Sequence, residues 1–209
     1  MDHGDRVARP RILVAGLGNV LRGDDGFGIA VVRRLQQRPD LPAGVRVTEV
    51  GIGGIALVQE LLDGYGLLIV VDAVARGAPP GTVTTLRAEA PDPAGLDAEE
   101  ARALVGDPHT TTPARVFLLA RALGVLPGEV YLVGCEPLEC DEVRLGLTPP
   151  VAQAVDEAAD RVVALARDWL RRTAPMVAAP VDGATAPAAE RVAADPEVDG
   201  GAPAPEGRP

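Results

Sequence analysis

The chain has 209 residues, with 30 Asp and Glu against 20 basic residues and a formal net charge of −10. All 20 basic residues are Arg, and the sequence contains neither Lys nor Ser, which excludes a Ser-His-Asp triad, a Schiff-base lysine and a P-loop lysine. Hydrolytic chemistry in such a chain would have to use carboxylates, Thr, Cys, a metal or one of the two His, His3 and His109.

The first residues, 1–10, are polar and lack an apolar signal region, an expectation of cytoplasmic location. Residues 11–15 (RILVA) read as a buried strand, followed by the turn-rich Gly16-Leu17-Gly18-Asn19. A helix is expected from about Gly26 to Gln37, with Phe27, Ala30, Val31 and Leu35 inward. Residues 45–50 alternate as a second strand, and 55–62 make a short helix. The continuous apolar run 67–71 has the pattern of a central parallel strand covered on both faces, and it is the densest in the chain. It falls far short of the roughly 18–20 residues of a membrane-spanning helix, so no membrane partner is expected.

Residues 81–88 (GTVTTLRA) read as an edge strand. Thr112 followed by Pro113 predicts a helix start, with Gly124 as the stop. Another strand is expected at 129–133. The last helix begins at Thr148-Pro149-Pro150 and carries one stripe of Val151, Val155, Ala158, Val162, Leu165 and Trp169. Arg171 and Arg172 close it at the negative end of its dipole. The βαβα alternation predicts one α/β domain over residues 1–173, a three-layer sandwich with a mainly parallel, twisted sheet of about five strands between helices. Beyond it, residues 174–209 hold 11 Ala, 7 Pro and 4 Gly with six acids and two Arg, a composition that predicts a disordered acidic tail.

The first βα connection is the most informative stretch for chemistry: Gly16-Leu17-Gly18-Asn19-Val20-Leu21-Arg22-Gly23-Asp24-Asp25-Gly26-Phe27-Gly28. A dinucleotide-binding G-x-G-x-x-G would need Gly where Leu21 stands, and two adjacent acids repel a pyrophosphate, so no nucleotide is expected. One of Asp24 and Asp25 is expected to cap the following helix. The other acid is left at a strand's carboxyl end, where open α/β sheets place ligands. Asp72 follows the central apolar run; it either bonds its own turn or faces the same crevice as Asp25. His109 stands in the loop before the Thr112 helix, either as a solvated residue or as a ligand. Two carboxylates and one imidazole suit a divalent metal such as zinc or nickel. Gly51-Ile52-Gly53-Gly54 is either a plain turn or a backbone surface that a peptide can approach closely. Cys135 and Cys140 are expected to be reduced, with Cys135 buried, and their C-x4-C spacing fits neither a disulfide framework nor usual zinc sites.

Residues 12–28 (ILVAGLGNVLRGDDGFG), then 51–74 (GIGGIALVQELLDGYGLLIVVDAV), then His109 with its helix, resemble the hydrogenase maturation endopeptidases. The resemblance covers about residues 11–170. It implies a monomeric α/β protein that removes a short C-terminal extension from the large-subunit precursor of a [NiFe] hydrogenase after nickel insertion. It further implies that Asp25, Asp72 and His109 contact nickel supplied by the substrate, with Asp25 and Asp72 as the candidate catalytic carboxylates. Many members have Glu where this chain has Asp25, a side chain one methylene longer. Two other classes compete. One is a nickel-recognition or assembly module without hydrolytic activity. The other is a peptidyl-tRNA hydrolase, whose opening is similar to Gly16-Leu17-Gly18-Asn19; the Pro and the Asn- and His-containing segment that continue that family's pattern do not occur before Gly28. The charge of −10 also disfavours tRNA and any other nucleic acid as a partner.

Overall fold

The computed structural model describes residues 12–89 and 113–174. The strands are β1 (Ile12–Leu17), β2 (Val45–Gly51), β3 (Leu67–Ala73), β4 (Val83–Arg87) and β5 (Glu129–Cys135). The helices are α1 (Phe27–Gln36), α2 (Gly54–Leu61), α3 (Pro113–Ala122) and α4 (Pro149–Thr173). A 3-10 turn, Gly23–Gly26, joins β1 to α1. His109, the Thr112 cap and the acidic tail from residue 175 lie outside the described residues.

The five strands form one sheet in the order β2-β1-β3-β5-β4. β1 pairs in parallel with β2 and β3, and β3 in parallel with β5. β4 closes the edge antiparallel to β5, which agrees with its β-branched, only partly buried sequence. The α/β sandwich with a mainly parallel sheet is therefore the observed fold.

Side-chain alternation along the central strands divides the core into two layers. Ile12 and Val14 of β1 and Leu67, Ile69 and Val71 of β3 pack with Phe27, Val31 and Leu35 of α1 and with α4. Leu13, Ala15 and Leu17, with Leu68 and Val70, pack on the other face against Leu57, Val58 and Leu61 of α2 and Val116, Phe117 and Ala120 of α3. Because both faces are covered, β1 is buried throughout and the run 67–71 contains no polar residue. Each such Leu or Ile contributes about 1.5–3 kcal/mol on burial. The α4 stripe is broader than its predicted period: Ala154, Ala159, Val163 and Ala166 are buried beside Val151, Ala158, Val162 and Trp169, while Val155 and Leu165 are only partly buried. Small Ala side chains let this helix lie close against its neighbours. Among the described residues no helix is long and apolar enough to cross a membrane.

Two glycines let the first connection fold back tightly on the sheet. A Cβ on Gly28 would lie 2.2 Å from the Val71 carbonyl oxygen and 2.4 Å from that of Leu17, so α1 can start against the ends of β1 and β3 only with Gly there. Gly18 has φ +115°, and a Cβ on it would overlap the carbonyl oxygen of Asp25. Both glycines bring the 3-10 turn, and with it Asp25, over the sheet's carboxyl edge.

Candidate active site

The strand order places a topological switch between β1 and β3. From β1 the chain passes to β2 on one side; from β3 it passes to β4 and β5 on the other. Connections that diverge in this way leave a crevice at the carboxyl ends of the two strands, where open α/β sheets bind ligands. Asp25 stands on the connection leaving β1, and Asp72 is the penultimate residue of β3.

Both acids are half-buried. Asp25 Oδ2 accepts the Asn19 N–H at 2.9 Å, and Asn19 Oδ1 in turn accepts the Leu21 N–H at 3.0 Å, so the turn holds Asp25 through its own backbone. Asp72 Oδ1 accepts the N–H of Ala73 at 2.9 Å. Its other oxygen takes no hydrogen bond among the described residues. Burial, reinforced by the negative charge of Asp25, pushes the Asp72 carboxyl up to about 7, against the weaker opposing effect of the Ala73 bond. Asp25 is thus near enough for its charge to act on Asp72. Asp72 bonds its own turn, one of the two arrangements the sequence allowed.

The expectation that Asp24 or Asp25 caps α1 is corrected. The residue before α1 is Gly26, and no side chain caps the helix. Asp24 is instead fully buried and directed toward the segment after β5. Its Oδ2 accepts the Leu138 N–H (2.9 Å), the Glu139 N–H (3.1 Å) and the Thr148 hydroxyl (2.8 Å), while Oδ1 accepts the Thr148 N–H (2.6 Å). Burial raises this carboxyl's pKa, but the donors together outweigh it and hold the group below its ordinary value. Asp24 therefore ties the β1 connection to residues 138–148, and its chain neighbour Asp25 is set by that anchor.

Glu136 does similar work beside Asp72. It is buried, and its carboxylate accepts the N–H groups of Arg76 (2.7 Å) and Gly77 (3.1 Å), holding the segment that leaves β3 against the end of β5. Neither the Asp24 anchor nor the Glu136 brace was singled out from sequence. Their partners lie more than fifty residues away, and the only local signal was that one helix cap does not require two adjacent acids.

The cysteines behave as expected. Cys135 and Cys140 are free, Cys135 is buried, and burial with nearby acids pushes their thiols up to about 12 and about 11. Neither is poised as a thiolate. Among the described residues no three His, Cys, Asp or Glu side chains cluster in a metal-holding arrangement. His109 is outside those residues.

The sequence model of the hydrogenase maturation protease family (HycI) matches residues 29–165, a span that includes Asp72 and His109 and starts just after Asp25. The hydrogenase expression/formation protein HupD of Rhodobacter capsulatus is 36% identical over 159 residues, 76% of this chain and 72% of that protein. The hydrogenase 2 maturation protease of Escherichia coli K12 is 34% identical over 161 residues, 76% of this chain and 92% of that protein. The solved structure of the hydrogenase maturating endopeptidase HybD from E. coli matches with a TM-score of 0.59 and 30% identity, over 76% of this chain and 93% of that one. The chain belongs to the hydrogenase maturation protease family.

Proposed function

We propose that this protein is a cytoplasmic, monomeric endopeptidase that cuts the C-terminal extension from a [NiFe] hydrogenase large-subunit precursor once nickel has been inserted. Asp25, Asp72 and His109 are the residues that meet the nickel carried by that substrate. The observation that supports this most is the position of Asp25 on the connection leaving β1 and of Asp72 at the carboxyl end of β3, with Asp72 pushed up to about 7 by burial and by the charge of Asp25. Two carboxylates that repel each other at close range favour a cation between them. The donor set, oxygen from two Asp and nitrogen from one His, is of the kind that accepts a divalent first-row metal.

The net reaction adds water to the scissile carbonyl, breaks the C–N bond and leaves a carboxylate and an amine. A metal at the carbonyl supplies electrophilic polarisation. The protein's own part is to orient the loaded segment in the crevice and to handle the proton. In the unliganded enzyme Asp72 exchanges its proton near neutral pH, the range in which a carboxyl serves as general base and then general acid. A cation held by the two acids would relieve their repulsion and favour the ionised form of Asp72. The cut thus depends on the loaded state of the substrate.

The test is incubation with nickel-loaded and nickel-free precursor, scored by loss of the extension. Cleavage of the loaded form alone is expected, and it disappears in Asp72→Ala and His109→Ala. Intact precursor in both reactions overturns the peptidase reading in favour of a recognition module, and equal cleavage of both overturns the nickel checkpoint.

A further inference from the structure

Large apolar side chains are exposed on the segments that follow β1, β2 and β5, at the carboxyl edge of the sheet. After β2 come Ile52 and Ile55, 68% and 67% exposed; after β5 come Val143 and Leu145, 91% and 78% exposed, with Leu138 also exposed. Leu21 on the β1 connection is exposed between them. Most of the large exposed apolar residues among those described lie on these carboxyl-edge connections, whereas exposed apolar residues that are scattered singly need no explanation.

The backbone holds these connections together. The Arg144 N–H donates to the Leu21 carbonyl at 2.9 Å and the Gly23 N–H donates to the Arg144 carbonyl at 2.9 Å, so Leu21 is tied to the residue between Val143 and Leu145. On the other side the Gly18 N–H donates to the Gly51 carbonyl at 3.2 Å, which places Ile52 beside the first connection. Val20 and Leu145 also line an open groove of about 560 Å³ whose remaining walls include Ala30 of α1 and Val155 of α4, with Arg33 and Arg34 at its polar side. The Asp24 anchor joins residues 138–148 to the turn that carries Asp25. A body resting on the apolar side chains is thereby held in register with the acids.

We propose that this apolar collar is the docking surface for the folded body of the hydrogenase precursor, which seats an apolar surface of its own there while its terminal segment enters the crevice. The inference rests on the peptidase reading and adds the surface that selects a folded protein over a free peptide. The collar is continuous with the crevice, so its occupant must leave the crevice open to substrate. A second copy of this chain bound face to face on it would close the site. The chain's own residues 174–209 carry six acids against two Arg, and they would bring negative charge to a crevice that already holds two repelling carboxylates.

The experiment compares the full-length wild type with Leu138→Gln/Val143→Gln/Leu145→Gln, with Ile52→Gln/Ile55→Gln on a different connection, and with Leu62→Gln at the end of α2 as an exposed apolar control. Nickel-loaded precursor is the probe. Binding is measured by titration, processing is followed against precursor concentration, and enzyme mass is followed by sedimentation. Both collar variants are expected to raise Kd and the half-saturating concentration about tenfold or more, with turnover at saturation within about twofold of wild type and the control unchanged. Two collar variants keep the test decisive if one fails to fold. Unchanged Kd in the folded collar variants overturns the proposal while leaving a cleaving wild type as a peptidase. Wild type that binds through the collar but never cleaves overturns the peptidase reading instead. A dimeric wild type made monomeric by the substitutions, with precursor binding unaltered, assigns the collar to a second copy and overturns the proposal. Truncation after residue 173 that tightens binding more than tenfold assigns it to the chain's own tail, with the same result.

Discussion

Replacing Asp72 by Asn should abolish processing and make the unliganded enzyme more stable at neutral and alkaline pH. In the folded state the carboxyl is pushed up to about 7, whereas in the unfolded chain it titrates near 3.8. An acid whose pKa is raised by folding binds its proton more tightly in the native state. The native state is therefore penalised once the unfolded chain ionises, and the penalty grows as pH rises from about 4 to about 7, then levels off. A rise of about three pH units corresponds to a ceiling of about 4 kcal/mol, and water reaching this half-buried group lowers the expected effect to about 2–4 kcal/mol. Asn carries no charge, and its side-chain oxygen can still accept the Ala73 N–H. Urea unfolding of both proteins without substrate, at pH 4.5 and at pH 8, measures the difference directly. Asp72→Asn should gain no more than about 1 kcal/mol at the lower pH and about 2–4 kcal/mol at the higher one. A variant no more stable than wild type at pH 8 refutes the placement of Asp72 in a crevice that penalises its charge. A gain in stability with loss of activity is the pattern expected of a residue held in an unfavourable state for function.

Asp24→Ala leaves the donors of Leu138, Glu139 and Thr148 without their buried acceptor and should cost about 3 kcal/mol in urea unfolding at pH 7. Because folding lowers the pKa of Asp24, its contribution is present above the ordinary carboxylate range and is lost as pH falls through the folded value, so the variant should lose less stability on acidification than wild type. Gly28→Ala forces a methyl group to within 2.2 Å of the Val71 carbonyl oxygen, and a loss of about 3 kcal/mol is expected; a thermal melt unchanged from wild type would show that α1 does not start against the strand ends. A double Cys135→Ala/Cys140→Ala variant should process precursor at a rate within about twofold of wild type under conditions where it is folded, since thiols pushed up to about 12 and about 11 supply almost no thiolate at neutral pH. Loss of activity in that folded variant would bring thiol chemistry back into the mechanism.

Secondary structure was legible because it depends on short-range patterns. The unbroken apolar run 67–71 has the pattern of a strand covered on both faces, and β3 is that strand, extended by two residues to include Asp72. The spacing of Val151, Val155, Ala158, Val162, Leu165 and Trp169 marked one face of a long helix, and α4 buries four of the six, with Val155 and Leu165 partly buried. Asp25 and Asp72 were identifiable as candidates because acids at strand ends in an α/β chain fall at the sheet's carboxyl edge. Their meeting was not readable from periodicity. It depends on β3 pairing directly with β1 rather than with β2, and a strand's alternation is the same whichever neighbour it pairs with.

The adjacent acids show the same division. From composition and spacing, Asp24 and Asp25 were equivalent candidates for a helix cap. They separate only because the segment after β5, more than a hundred residues on, brings the N–H groups of Leu138, Glu139 and Thr148 to Asp24 alone. By itself the sequence determined the elements, the excluded chemistries, the family and the short set of residues able to do acid–base work. The tertiary structure decided that Asp24 is an anchor to the segment after β5, and that burial and the charge of Asp25 push the Asp72 carboxyl up. Pairing order, long-range hydrogen bonds and desolvation all arise between residues distant along the chain, where local residue patterns carry no information.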